Sequence, residues 1–403
     1  MKDITSCRFL IVDDEEIVMA LIGDILLTNG YTSVAYAKSG QEALEKLKKE
    51  SIDFVIADWV MPKMTGVELL TLVRSNPKYF HLPFIMLTGE MSQEKVIYAI
   101  EEGVDDYLGK PFDPEHAIKT IQEVWQKKAN PDPFQYRIQK LYGLMLRKRY
   151  DEALRLATEI LKVTEHPDVL RMAAECYLLR GDPDSAEKCI RKSLQIKQED
   201  SRSLRTLGNV HMERGQYHQA VESFKQATER NPLNTKRKIE LADVYLKMNR
   251  SEEALEIFES VGKSEPTDLN LIDMGIVHLE NGDIERAGLY LNKIQDPIPE
   301  AVPVFNNYGV ELRRRGKLRK AVEQYKRCLK VKPSDPTILY NLGRAFFELE
   351  KFQEAQTVLE KSVRLRPIEK TKKFLTYVKA SLEPGEKRLN VRYRTEMRAD
   401  KAS

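Results

Sequence analysis

In Phe54-Val55-Ile56-Ala57-Asp58-Trp59-Val60-Met61-Pro62 a four-residue apolar run, 54–57, ends in an acid, Asp58. A run this short and this apolar has the length of a strand buried on both faces. Outward from it the same grammar recurs. Phe9-Leu10-Ile11-Val12 ends in Asp13-Asp14, and Phe84-Ile85-Met86-Leu87 ends in Thr88. A weaker run around Tyr107-Leu108 leads into Gly109-Lys110-Pro111. Helix-like stretches fall between and after these runs, at 16–28, 41–49, 66–74, 93–101 and 114–127. Ser39, three residues before Glu42, reads as an N-cap with a capping-box partner, and Ser92 opens a similar context. Strands alternating with helices predict a doubly wound parallel α/β sheet over residues 1–128.

In such a sheet ligands sit outside the carboxyl ends of the strands. Asp13, Asp14, Asp58, Thr88 and Lys110 all fall there. One acid at a strand end is ordinarily a helix N-cap; five such residues at four strand ends point to chemistry. Three converging carboxylates repel one another unless a hard cation lies among them, and Mg²⁺ suits carboxylate and carbonyl oxygen. Such an ion neutralises and positions an incoming phosphoryl group. Asp58 is then a nucleophile, while Thr88 and Lys110 donate to phosphoryl oxygens.

The set Val12-Asp13-Asp14, Asp58 to Pro62 with Gly66, Leu87-Thr88-Gly89, and Asp106 to Phe112 resembles the receiver domain of two-component response regulators. The resemblance implies a flavodoxin-like five-stranded sheet and phosphorylation of Asp58 by a sensor histidine kinase or phosphotransfer protein. It implies Mg²⁺ on Asp14, Asp58 and the backbone carbonyl of Val60, with Asp13 helping through water. It implies a cis Lys110–Pro111 peptide. Tyr107 is the switch ring that turns inward when Thr88 moves toward the phosphoryl group; packing at a sheet edge is its plainer reading. No enzyme is implied beyond self-phosphorylation and self-dephosphorylation at Asp58.

The rest of the chain repeats itself. Ala153, Ala186, Ala220, Ala254, Ala287, Ala321 and Ala355 are spaced 33 or 34 residues apart. Twelve residues before each stands Leu141, Ala174, Gly208, Ala242, Gly275, Gly309 or Gly343. Gly181, Gly215, Asn249, Gly282 and Gly316 precede their alanines by five, and the last five copies close on a proline. Small residues let two helices approach, glycine or asparagine ends the first, and proline ends the second. The unit resembles the tetratricopeptide repeat. Seven copies over 134–367, after a linker at 129–133, predict an all-α superhelix. Residues 368–383 read as a capping helix and 384–403 as a basic, disordered tail.

Position in the repeat nominates Arg171, Glu175, Arg205, Asn209, Asp243, Tyr340 and Arg344 for a groove that takes a protein or peptide. Arg205 with Asn209 partly resembles a carboxylate clamp, but Glu240 and Asp243 stand where that clamp wants an amide and bases. An internal peptide or a helix is the expected ligand. His211 and His278 read as core residues.

Residues 1–128 carry 14 Lys+Arg against 21 Asp+Glu, and the remainder 51 against 41. Opposite signs predict attraction between the parts or an acidic partner. A nucleic-acid-binding solenoid under receiver control is the alternative reading, and steep salt dependence would mark it. No winged or helix-turn-helix output module fits between the repeats. No stretch reaches the roughly 20 apolar residues of a membrane helix, four acids stand where a leader would need small residues, and the expected location is cytoplasmic. The linker's two prolines predict a last receiver helix ending close to the first repeat, with coupling through the last two strands and helices. A homodimer formed through the receiver is the alternative to that coupling.

Overall fold

Five strands form one wholly parallel sheet in the order β2-β1-β3-β4-β5. They are β1 (Arg8–Val12), β2 (Ser33–Ala37), β3 (Phe54–Asp58), β4 (Phe84–Thr88) and β5 (Asp106–Gly109). The computed structural model describes residues 3–89, 92–111, 113–263, 267–295 and 297–382. The three apolar runs are β1, β3 and β4, the inner strands. Each is buried almost throughout because helices cover both faces of the sheet. α1 (Glu16–Thr28) and α5 (Pro114–Ala129) cover one face. There Phe9, Ile11, Phe54, Ile56, Ile85 and Leu87 meet Met19, Ile22, Leu26, Ile121 and Val124. α2 (Gly40–Lys49), α3 (Gly66–Ser75) and α4 (Gln93–Glu102) complete the set.

Local capping starts these helices. Ser39 Oγ accepts from Glu42 N at 3.2 Å, but the Glu42 carboxylate reaches Lys38 N instead of the cap's own amide. Ser92 caps α4 through Lys95 N. The reciprocal capping box lies at Thr65 and Glu68, at the start of α3.

The chain divides into two compact units, Met1–Asn270 and Leu271–Ser403. The first holds the sheet together with four helix pairs. These are α6 (Pro133–Leu146) with α7 (Tyr150–Leu161), α8 (Pro167–Leu179) with α9 (Pro183–Ile196), α10 (Ser201–Glu213) with α11 (Tyr217–Arg230), and α12 (Thr235–Lys247) with α13 (Ser251–Lys263). α14 (Asp268–Glu280) starts at its end. The second unit continues with α15 (Ile284–Leu291), α16 (Val302–Arg314), α17 (Leu318–Val331), α18 (Pro336–Glu348), α19 (Phe352–Leu365) and α20 (Glu369–Ala380). Residues 383–403, the expected basic tail among them, lie outside the described residues.

The repeat's small residues do what their spacing predicts. A Cβ on Gly208 would stand 2.9 Å from the Phe224 ring, and one on Gly343 2.6 Å from Leu359, so each pair of helices is in backbone-to-side-chain contact. The turn after the first helix of a pair is left-handed, with φ near 70° at Gly181, Gly215, Gly282 and Gly316 and 59° at Asn249. Lys148 and Glu350 adopt the same conformation without being glycine or asparagine. One helix departs from the period. α15 has eight residues where its counterparts have twelve to fourteen. Pro297 stands where those counterparts still have their last helical residue, and a proline ring excludes both its own amide donor and the helical conformation before it.

In the first unit the sheet domain packs against the repeats. The linker between α5 and α6 is three residues long. Of the last two strands and helices, where the sequence placed the contact, α4 takes part. The contact runs through α3, the segment after it, and α4. Tyr142 Oη donates to Arg74 O at 3.2 Å, Phe80 stacks edge-on against Tyr142, and Arg147 donates to Pro77 O. Gly143 lets Phe80 approach: a Cβ there would lie 3.1 Å from its ring.

Candidate phosphoacceptor site and repeat groove

The sheet brings Asp13, Asp58, Thr88 and Lys110 to one end. Asp13 follows β1 and is buried; its Oδ1 accepts from Glu15 N at 2.9 Å. Asp58 closes β3, and its Oδ2 accepts from Val60 N at 2.8 Å, fixing the carboxylate's orientation. Thr88 closes β4 and is buried. Its carbonyl accepts from Lys110 N at 2.7 Å, which places Lys110 beside the other strand ends. The Lys110–Pro111 peptide is cis, as the resemblance implies.

Lys110 Nζ lies 2.6 Å from Asp58 Oδ1 and 2.9 Å from Asp13 Oδ2. One ammonium thus serves two buried carboxylates. Burial alone would pull the Lys110 pKa down, but the two acids outweigh it and raise it. Asp58 is also raised: burial disfavours its charge, Lys110 opposes that, and Asp13 adds repulsion. These directions agree physically. A site with more acid than base grips its cation and leaves a buried acid under-compensated.

Asp14 is exposed at the rim, and Val60 is 68% exposed. Tyr107 is half-buried on β5. Among the described residues no three His, Cys, Asp or Glu side chains converge closely enough to hold an ion by themselves. The donors on offer are hard oxygens, two carboxylates beside an exposed backbone segment, and their charge is only partly answered by Lys110. That chemistry fits a magnesium ion completed by carbonyl and water oxygen.

Gly66 sets the floor of the site. Its amide donates to Trp59 O at 2.9 Å, and a Cβ on it would stand 2.1 Å from Asp58 O. Trp59 leaves the site outward, edge-on to Tyr98 of α4 at 6.2 Å between centroids.

The groove residues do not form one surface. Glu175, Arg205, Asn209 and Asp243 line a cavity of about 600 Å³ with Leu179 and Phe224. Arg205 grips Glu240 through two nitrogens, at 2.7 and 2.5 Å, and Lys247 pairs with Asp243 at 2.6 Å. Arg171 pairs with Glu175 at 2.7 Å but lines a separate cleft of about 550 Å³, facing Arg74 and Glu102. In the second unit Arg344 lies over the Tyr340 ring, which meets Phe374 edge-on. His211 is buried against Gln216, and His278 is stacked on Tyr290.

A parallel sheet of order 2-1-3-4-5, with acids, a threonine and a lysine at its strand ends, defines a receiver domain. The chain belongs to the response-regulator family: residues 9–122 match the response regulator receiver domain. Tetratricopeptide repeats match at 144–208, 211–272, 309–350 and 336–369. The chemotaxis protein CheY of Pseudomonas aeruginosa is 36% identical over 120 residues, spanning 30% of this chain and 97% of that protein. A CheY homolog of Campylobacter jejuni is 37% identical over 118 residues, 29% of this chain and 91% of that protein. Among solved structures, chemotaxis protein CheY4 of Vibrio cholerae is 39% identical, covering 30% of this chain and 98% of that one, with a TM-score of 0.29. The chain is therefore a two-component response regulator with repeats of a protein-interaction type. Among the described residues no helix is long and apolar enough to cross a membrane.

Proposed function

We propose that Asp58 accepts a phosphoryl group from a histidine kinase or phosphotransfer protein in the cytoplasm, and that its phosphorylation state modulates protein binding by the repeats. Residues 1–128 are the phosphoacceptor domain, 129–133 the linker, 134–367 the binding array and 368–383 its cap. The Lys110 bridge between Asp13 and Asp58 carries this reading. It holds a cation where phosphoryl oxygens would arrive, beside the carboxylate that would attack. The new P–O bond forms on Asp58 as the bond to the donor nitrogen breaks. Asp14, Asp58 and the Val60 carbonyl would hold Mg²⁺, with Asp13 through water; when bound, the ion neutralises charge on the phosphoryl oxygens. Thr88 and Lys110 then close on the phosphoryl group, and Tyr107 follows inward.

The first-unit groove favours a protein ligand over nucleic acid. Glu175, Glu213, Glu240 and Asp243 outnumber Arg205 and Lys247 along it, and both bases are already paired. A phosphate backbone would meet repulsion there.

Labelling with a small acyl-phosphate donor and Mg²⁺ tests the acceptor. Wild type should take one phosphoryl group and Asp58→Asn none. Persistent labelling on another aspartate would overturn the assignment.

A further inference from the structure

Two adjacent carboxylates at the end of α4 enter the repeats. Glu101 Oε2 lies 2.7 Å from Arg237 Nη2 and accepts from Asn231 Nδ2 at 2.5 Å, while its other oxygen accepts from Ser201. Glu102 accepts from Asn234 Nδ2 at 3.2 Å and from Thr71 Oγ1 at 2.8 Å. Four donors from two successive inter-repeat turns thus converge on one Glu-Glu pair. Ser201 opens α10, and Asn231, Asn234 and Arg237 surround the start of α12. The next turn makes a third contact. Asp268 N, at the start of α14, donates to Lys63 O at 3.1 Å, and Thr267 bonds Glu68.

The donors form a built site. The Arg237 side chain is 3% exposed, and among the described residues its guanidinium otherwise reaches only Ala227 O, at 3.4 Å. Its Nε has no hydrogen-bond partner among the described residues, nor does Asn231 Oδ1. A buried guanidinium cannot give up its carboxylate without taking another or admitting water.

Both arms of the contact lead back to Asp58. Lys63 lies in the β3–α3 loop, five residues beyond Asp58, in a left-handed conformation with φ 68°. Trp59, beside Asp58, touches Tyr98, one turn before Glu101 and Glu102 on α4. A rearrangement at Asp58 therefore reaches the repeat edge through the loop and through α4.

We infer that the edge formed by Ser201, Asn231, Asn234 and Arg237 is a receptor for a helix carrying paired carboxylates, that the receiver's own Glu101 and Glu102 fill it, and that phosphorylation of Asp58 frees it for an acidic helix of a partner. The inference rests on Asp58 as the phosphoacceptor. α4 is tethered, so its effective concentration at the edge is high, and an outside helix competes only once the tethered contact weakens. Coupling is reciprocal: a partner that takes the edge must also change the equilibrium of phosphorylation at Asp58.

Hydrogen exchange on the full-length chain tests this, with Asp58 labelling measured in the same samples. The variants are Glu101→Gln, which keeps shape and removes the charge, and Asn231→Ala, which removes one donor and spares the buried arginine. Exchange over residues 228–240 should rise at least tenfold in Glu101→Gln without a phosphodonor, and by a similar factor in wild type on labelling. A synthetic peptide of residues 93–104 should bind Glu101→Gln and labelled wild type at least tenfold more tightly than unlabelled wild type. Asn231→Ala introduced into Glu101→Gln should weaken that binding.

Wild-type exchange in a folded, normally labelled Glu101→Gln protein would overturn the receptor. An edge that opens in Glu101→Gln but not in labelled wild type would overturn its control by Asp58. Absence of labelling in wild type would instead sink the phosphoacceptor reading, and Glu101→Gln would still decide the receptor.

Discussion

Gly66→Ala places one methyl group against the backbone of the phosphoacceptor. The new Cβ would stand 2.1 Å from Asp58 O and 2.7 Å from Met86 Sδ. A carbon and a carbonyl oxygen settle at about 3.3–3.6 Å, so α3 or the end of β3 must retreat by more than an ångström. Retreat of α3 strains the 2.9 Å bond from Gly66 N to Trp59 O and the Thr65–Glu68 capping box. Overpacking of this kind costs about 1–3 kcal/mol, and one lost hydrogen bond adds about 0.5–1.5 kcal/mol. A loss of roughly 2–4 kcal/mol is expected, read by denaturant unfolding followed at Trp59. The labelling rate of Asp58 should fall as well, since misplacement by an ångström can cost ~100-fold. Gly89→Ala is the control, because a Cβ at Gly89 meets nothing within 4 Å. A Gly66→Ala protein with wild-type stability and labelling would refute the claim that α3 presses on the Asp58 carbonyl.

Asp58→Asn should raise stability at neutral pH. The Asp58 pKa is raised in the folded protein, chiefly by burial, so the stability it contributes is present at low pH and lost as pH rises through the folded value; the gain in melting temperature should therefore vanish once pH falls below about 4. Mg²⁺ should change the emission of wild type and much less that of Trp59→Phe, because Trp59 adjoins Asp58 while Trp125 lies on α5; equal responses would place the ion elsewhere. In the second unit, Arg313→Ala should cost about 1–3 kcal/mol by removing the buried partner, at 2.5 Å, of the part-exposed Glu348. Melting of Arg313→Ala within a degree of wild type would show that solvent already screens that pair.

Local spacing decided most of the architecture. Apolar runs of strand length and the residues closing them specified a sheet whose order gathers Asp13, Asp58, Thr88 and Lys110. The reason is geometric: in a parallel sheet every strand end carries its side chains to the same edge. Period and turn chemistry likewise specified the helix pairs, down to the left-handed residues at 181, 215, 249, 282 and 316. The shortened α15 was legible too, in Pro297, two residues ahead of the closing proline, once it is read as a helix stop. The Thr65–Glu68 box was equally available as a Thr-x-x-Glu signature.

Charge pairing was not legible in the sequence. Which carboxylate meets which guanidinium depends on how the domains pack, and Glu101 and Arg237 are 136 residues apart. The same packing turned Arg171 toward the receiver and locked Arg205 on Glu240. It also added α3 and the segment after it to the expected α4 as the receiver surface that meets the repeats. Helical period places a side chain on a face, but only the approach of a second surface desolvates it and fixes its partner.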